Sequence, residues 1–205
     1  MDRTGIVSSA CKLLYRCDCL LSAREGKPRP VMFLVSPTNR CQLDCPFCLY
    51  GERDKGLTLP AADLLRFMDA SEAIGVKTWE LTGGGDPLLH PDIGLLLAEL
   101  HRRDFAVGLM TNGLALDRLE HPEYLKWIRI SLHSGEETWR QLAENVAAIS
   151  GRVKVTFAYT VTLENMDQLP ALFPIAAWFK WTVKVEPDWF AIRDRMFRHE
   201  LAKLL

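Results

Sequence analysis

Cysteines at positions 41, 45 and 48 stand in the stretch Asn39-Arg40-Cys41-Gln42-Leu43-Asp44-Cys45-Pro46-Phe47-Cys48, directly after an apolar run from Val31 to Val35 that reads as a strand. Three thiolates on one loop suit an iron-sulfur cluster. A [4Fe-4S] cubane offers four irons, so three protein ligands leave one iron for another molecule to hold, and an open coordination position is where chemistry takes place. Zinc is a competing use of the same thiolates, but it normally takes a fourth protein ligand, and no second Cys or His pair at suitable spacing follows Cys48. Plain structural thiols are the third reading.

Other segments carry groups suited to binding. In Thr82-Gly83-Gly84-Gly85-Asp86-Pro87, consecutive glycines let the backbone approach a partner closely, and the adjacent carboxylate can accept a bond from a cationic amine. The run does not spell the G-x-G-x-x-G dinucleotide fingerprint, and alone it also reads as a tight turn. Thr111-Asn112-Gly113 and Ser131-Leu132-His133 offer amide, hydroxyl and imidazole groups at the ends of two further strands, as do Val161 to Asn165 and Glu186-Pro187 near two more.

The elements that would position these groups alternate along the chain. Strands are expected over 31–36, 77–82, 105–110, 127–132, 152–161 and 181–186. Helical patterns fall between them, with Ile93, Leu96, Leu97 and Leu100 on one face, then Trp139, Leu142, Val146 and Ile149, and a last helix from about Trp189 to Leu204. Alternation with short connections implies a parallel sheet covered by helices, whose functional loops leave the carboxyl ends of the strands. All the segments singled out from Cys41 onward sit there.

An amphipathic helix is expected over 6–21, where Val7, Ala10, Cys11, Leu14, Cys17 and Leu21 share a face. Cys11 and Cys17 are then small core residues, with Cys19 off that face. The Gly- and Pro-rich stretch 24–30 reads as a linker, so the expected organisation is an N-terminal helix and linker over 1–30 and a core domain over 31–205.

A hydrophobic fraction of 48% with 25% charged residues over 205 positions is that of one globular core. Lys and Arg total 25 against 26 Asp and Glu, so no global basic bias points to nucleic acid or an anionic membrane. No apolar stretch approaches the roughly 20 residues of a membrane span, and the N-terminus lacks a basic start followed by an apolar core. The six cysteines all lie within the first 48 residues, which fits metal ligation in a reducing, cytoplasmic setting better than a disulfide scaffold.

The C-x3-C-x2-C spacing of Cys41, Cys45 and Cys48, with Phe47 before the last cysteine, closely resembles the signature of the radical S-adenosylmethionine (radical SAM) enzymes. The glycine run resembles that family's Gly-Gly-Glu-Pro segment, with Asp86 in place of glutamate and so one methylene shorter. The resemblance covers roughly residues 31 to 187 and turns a general α/β reading into a partial (β/α)6 TIM-like barrel with an N-terminal helical extension. It is nearest the molybdenum-cofactor and peptide-maturase branch, without a cysteine-rich auxiliary-cluster domain.

The resemblance implies that Cys41, Cys45 and Cys48 hold a [4Fe-4S] cluster and that S-adenosylmethionine (SAM) fills the fourth position. Phe47 would face the adenine, while Gly84, Gly85, Asp86, Asn112 and Ser131 would contact SAM. The implied activity is reductive cleavage of SAM to a 5′-deoxyadenosyl radical that takes hydrogen from a peptide or small metabolite, with an electron donor such as flavodoxin or ferredoxin. Alternatives are an activase that installs a glycyl radical on a partner protein, and a non-catalytic iron-sulfur or zinc-binding protein. A six-unit barrel is open on one side, and a partner, second subunit or large substrate is expected to cover it.

Overall fold

A computed structural model describes residues 17–132, 136–188 and 195–204. Six strands form one sheet in chain order: β1 (Phe33–Val35), β2 (Thr78–Leu81), β3 (Ala106–Thr111), β4 (Trp127–Leu132), β5 (Lys154–Val161) and β6 (Val183–Pro187). Every neighbouring pair is parallel. β1 and β6 are the two edges, so the barrel is partial and open, as the alternating pattern and the resemblance led one to expect.

Helices cross between successive strands: α1 (Cys17–Arg24) before β1, then α2 (Ala61–Ala73), α3 (Ile93–Arg102), α4 (Glu136–Ala147), α5 (Leu169–Trp178) and α6 (Arg195–Leu204). The faces read from periodicity are the buried ones. Ile93, Leu96, Leu97 and Leu100 of α3 are at most 4% exposed, and Trp139, Leu142 and Val146 of α4 pack into the same core. Opposite them lie the outward residues of the strands, such as Trp79, Leu109, Ile130 and Phe157. Each large apolar side chain so buried contributes about 1.5–3 kcal/mol, which is what fastens helix to sheet. Aromatic contacts add shape to this layer, with Trp79 at 5.2 Å from Phe67 and Trp139 edge-on to Tyr159 at 5.8 Å.

One expectation needs correction. Within α1, Cys17 and Leu21 are exposed and Cys19 is buried, the reverse of the face read from spacing. The helix has apolar residues on several sides, with Leu20 also exposed, so periodicity over this short span selects no face. Local bonds tie it to the linker that follows. Ser22 Oγ donates to the Lys27 carbonyl, and Arg29 pairs with Asp18 at 3.6 Å. In α6 the core is reached by Phe197, fully buried, and by Leu201. Cys11, His133 and positions 189–194 of the expected last helix lie outside the described residues.

Candidate functional site

The cysteine loop is an excursion between β1 and α2 that closes on itself. Asn39 N–H donates to the Leu57 carbonyl at 2.8 Å, Leu59 N–H donates to that of Pro37 at 2.9 Å, and the hydroxyls of Thr38 and Thr58 meet at 2.7 Å. These bonds join the two stems of the loop, so Cys41, Cys45 and Cys48 ride on a fastened base. All three are partly buried.

Donors gather on the sulfurs. Leu43 N–H points to Cys41 Sγ at 3.4 Å, the Asn112 amide to the same sulfur at 3.7 Å, and the Arg53 guanidinium to Cys48 Sγ at 3.6 Å. Burial pushes the Cys45 thiol up from its ordinary value, and the neighbouring Cys48 and Cys41 push it the same way. Cys45 therefore feels both neighbours electrostatically, and metal binding through it must expel its proton. Among the described residues no three His, Cys, Asp or Glu side chains converge as ligands of one metal ion. A cubane makes a different demand, since each thiolate takes its own iron and N–H donors stabilise the anionic sulfurs. The donor set fits that group.

The glycine run of β2 packs against the base of this loop. Gly83 has φ +95°, and a Cβ there would meet Ser36 Oγ at 1.6 Å. On Gly84 it would meet Asn39 Oδ1 at 1.8 Å, and on Gly85 the Arg40 carbonyl oxygen at 2.1 Å. Close approach is thus to the protein's own chain. Gly84 N–H donates to Ser36 Oγ (3.2 Å) and Asp86 N–H to the Arg40 carbonyl (2.8 Å), one residue before Cys41.

Asp86 is turned inward. Its side chain is 2% exposed; Oδ1 accepts from Leu88 N–H (2.9 Å), capping the 3₁₀ turn Pro87–Leu89, while Oδ2 accepts from the Thr111 hydroxyl (2.7 Å) and Asn112 N–H (2.8 Å). Burial raises its carboxyl above the ordinary value, and those three donors only partly offset this. Asn112 in turn spans the gap to the cysteines, donating from Nδ2 to Gln42 Oε1 at 3.0 Å as well as to Cys41.

Of the residues singled out from sequence, Cys41, Cys45, Cys48, Gly84, Gly85, Asp86 and Asn112 come together in this assembly. Phe47, between Cys45 and Cys48 on the same loop, lines a cleft with Pro46, Thr162, Leu163, Glu164 and Asp188 at the ends of β5 and β6. Asn165 shapes that end, its Oδ1 accepting from Thr162 N–H (2.8 Å) and its Nδ2 donating to the Thr160 carbonyl (3.0 Å). Ser131, half-buried at the end of β4, pairs in register with Ala158. Arg53 and Gln42 escaped the sequence reading. A cation five residues past the last cysteine was the one available signal for Arg53.

No helix among the described residues is long and apolar enough to cross a membrane. The chain is 27% identical over 166 residues to the PqqA peptide cyclase of Granulibacter bethesdensis, covering 72% of this chain and 44% of that protein. It is 34% identical over 131 residues to the GTP 3′,8-cyclase of Staphylococcus aureus strain JH9, covering 57% of this chain and 38% of that one. The chain thus spans less than half the length of these curated relatives. Solved structures share its fold, two of them as follows. Streptococcus suis SuiB bound to precursor peptide SuiA superposes with TM-score 0.65 at 18% identity over 90% of this chain and 46% of that one. Native anSMEcpe with bound AdoMet and Cp18Cys peptide gives 0.63 at 14% identity over 77% and 50%. The Radical SAM superfamily model matches residues 35–173, which hold the cysteine loop, the glycine run and the ends of β3 to β5; the chain belongs to the Radical SAM superfamily.

Proposed function

We propose that this chain binds one [4Fe-4S] cluster through Cys41, Cys45 and Cys48, takes SAM at the remaining iron, and uses it to abstract hydrogen from a peptide or small metabolite. The observation that carries this reading is the bonding of the cysteine loop to the ends of β2 and β3, which brings cluster ligands and candidate SAM contacts into one assembly. When bound and reduced, the cluster supplies the electron that splits SAM into methionine and a 5′-deoxyadenosyl radical.

The protein's own residues bind and orient. Asn112 and Arg53 direct N–H groups at Cys41 Sγ and Cys48 Sγ, the donors that an iron-bound sulfur accepts. The backbone of Gly84 and Gly85, with Asn112 and Ser131, offers polar groups to the methionine and ribose parts of SAM, and Phe47 offers its ring to the adenine in the cleft beside Thr162 and Asp188. Asp86 holds Asn112 in place, because its oxygens are already engaged. Flavodoxin or ferredoxin is the class of electron donor this calls for, and the cytoplasm is the compartment that keeps such a cluster reduced. Relatives named for a peptide and for GTP support both a peptide and a small-metabolite substrate.

Anaerobic reconstitution with iron, sulfide, SAM and dithionite, followed by product analysis with candidate peptides and metabolites, tests the reading. The expected result is 5′-deoxyadenosine formed with or without coupling to substrate. A protein that takes up iron and sulfide yet leaves SAM intact contradicts it.

A further inference from the structure

Strand β4 has two faces of different character. Ile128, Ile130 and Leu132 are at most 1% exposed beneath the helices, so by alternation Trp127, Arg129 and Ser131 project to the barrel interior. Trp127 lies across the neighbouring strand, where a Cβ on Gly108, its register partner, would come within 2.2 Å of indole Cζ2. The absent side chain at 108 makes room for an aromatic floor. Arg129 stands one pleat, about 7 Å, nearer the carboxyl ends of the strands, and its guanidinium stacks over that floor at 5.5 Å from the ring centroid.

Among the described residues this guanidinium has no acceptor. Among the described residues Arg129 forms no ion pair or hydrogen bond, and its Nε is fully buried without a partner. Its register partners are Met110 and Thr156, neither of them acidic. Glu80, level with Gly108 on β2, has a partner other than Arg129, and the charge of Lys184 on β6 is matched by Glu186. The two other buried donors left without partners among the described residues, Trp79 Nε1 and Trp139 Nε1, lie in the core between sheet and helices, so Arg129 alone of the three faces the interior. An arginine stays charged and presents five donors in a rigid fork. Stacked on an indole and lacking an acid, it is preorganised for an incoming anion.

We propose that Arg129 on its Trp127 floor is an anion subsite inside the barrel, and that the substrate presents a carboxylate or phosphate to it. The inference rests on the radical SAM reading and adds the chemistry of the substrate. Ser131, a candidate SAM contact, is one pleat above Arg129, so an anion held there places the rest of the substrate between the subsite and the strand ends where SAM would sit.

The test uses reconstituted, SAM-loaded protein and calorimetric titration with four probes: an end-blocked pentapeptide centred on glutamate, its glutamine counterpart, GTP, and guanosine. At least one anionic probe is expected to bind about tenfold tighter than its neutral counterpart, and the peptide and nucleotide arms tell carboxylate from phosphate. Arg129→Met should erase that preference, and Arg129→Lys, which keeps charge and loses the fork, should retain part of it. Equal binding of charged and neutral probes by the wild type, or a preference that survives in Arg129→Met, overturns the subsite. If the methionine chain does not fold, the lysine variant decides alone, its preference falling at least about threefold or the subsite being refuted. Wild-type SAM cleavage is assayed alongside. Wild type that makes 5′-deoxyadenosine but shows no anion preference refutes the subsite only, whereas wild type that makes none refutes the reading beneath it.

Discussion

The backbone N–H of Asn112 donates to Asp86 Oδ2 at 2.8 Å, and through this bond the turn after β2 holds the end of β3. Because the Asn112 side chain reaches Cys41 and Gln42, the buried carboxylate acts on the cysteine loop at one remove. The carboxylate that the family resemblance sets against SAM has its oxygens bonded here to Leu88, Thr111 and Asn112. Asp86→Asn replaces an acceptor oxygen by an NH₂ group facing a backbone donor, at either Leu88 or Asn112. A loss of roughly 1–3 kcal/mol is expected, read from urea unfolding of the apo chain.

The same carboxylate sets a sign for pH. Its folded-state pKa is raised, chiefly by burial, so its contribution to stability is full below the unfolded value and is lost as pH rises through the folded one. The stability gap between wild type and Asp86→Asn, whose amide does not titrate, should therefore shrink as pH rises from the ordinary carboxylate range. Unfolding curves on the apo chain across mildly acidic pH measure it, and a gap that widens instead would contradict the raised value.

The glycines should rank by what their missing Cβ would strike. Gly85→Ala meets a backbone carbonyl, that of Arg40, whereas Gly84→Ala meets the side-chain oxygen of Asn39, which can swing aside. Gly85→Ala should cost about 1–3 kcal/mol and lower cluster incorporation, with Gly84→Ala milder on both counts. Thermal unfolding and the cluster absorbance after reconstitution give the two readouts.

Arg53 is the cation nearest the thiolates that sequence reading passed over. Arg53→Met removes a donor and a positive charge from Cys48 Sγ, so the reduced, more negative cluster loses stabilisation. Its midpoint potential should fall by on the order of tens of millivolts, measured by EPR-monitored titration. An unchanged potential would show that this contact does not reach the cluster.

Phe47 shares a cleft with Thr162, Leu163, Glu164 and Asp188. If its ring carries the adenine, Phe47→Ala weakens SAM binding by about tenfold with cluster content unchanged. Equilibrium dialysis with labelled SAM, beside an iron assay, separates the two effects.

What could be read from the sequence follows from how local each signal is. Strand and helix periods are properties of a few neighbouring residues, and each of the six strands falls within two residues of its expected bounds. The spacing of Cys41, Cys45 and Cys48 is equally local. The direction of Asp86 is not, because its three donors come from Leu88, Thr111 and Asn112, and the last two arrive by the pairing of β2 with β3. Likewise the glycine run reads from sequence as room for a ligand, whereas its neighbours Ser36, Asn39 and Arg40 are set by the fold. The face of α1 escaped for the opposite reason. Its own pattern is ambiguous, with apolar residues on several sides of a short helix.

The central claim is that the three cysteines hold one redox centre that cleaves SAM. Wild type and Cys45→Ala, reconstituted anaerobically in parallel, should differ completely when 5′-deoxyadenosine is measured after dithionite and SAM are added. Brown wild-type protein should form it, with an EPR signal that shifts on adding SAM, and the variant should form none above background. A Cys45→Ala protein that makes 5′-deoxyadenosine at the wild-type rate, or a wild type that purifies colourless with zinc in its thiolate loop and cannot be reconstituted, would contradict the account.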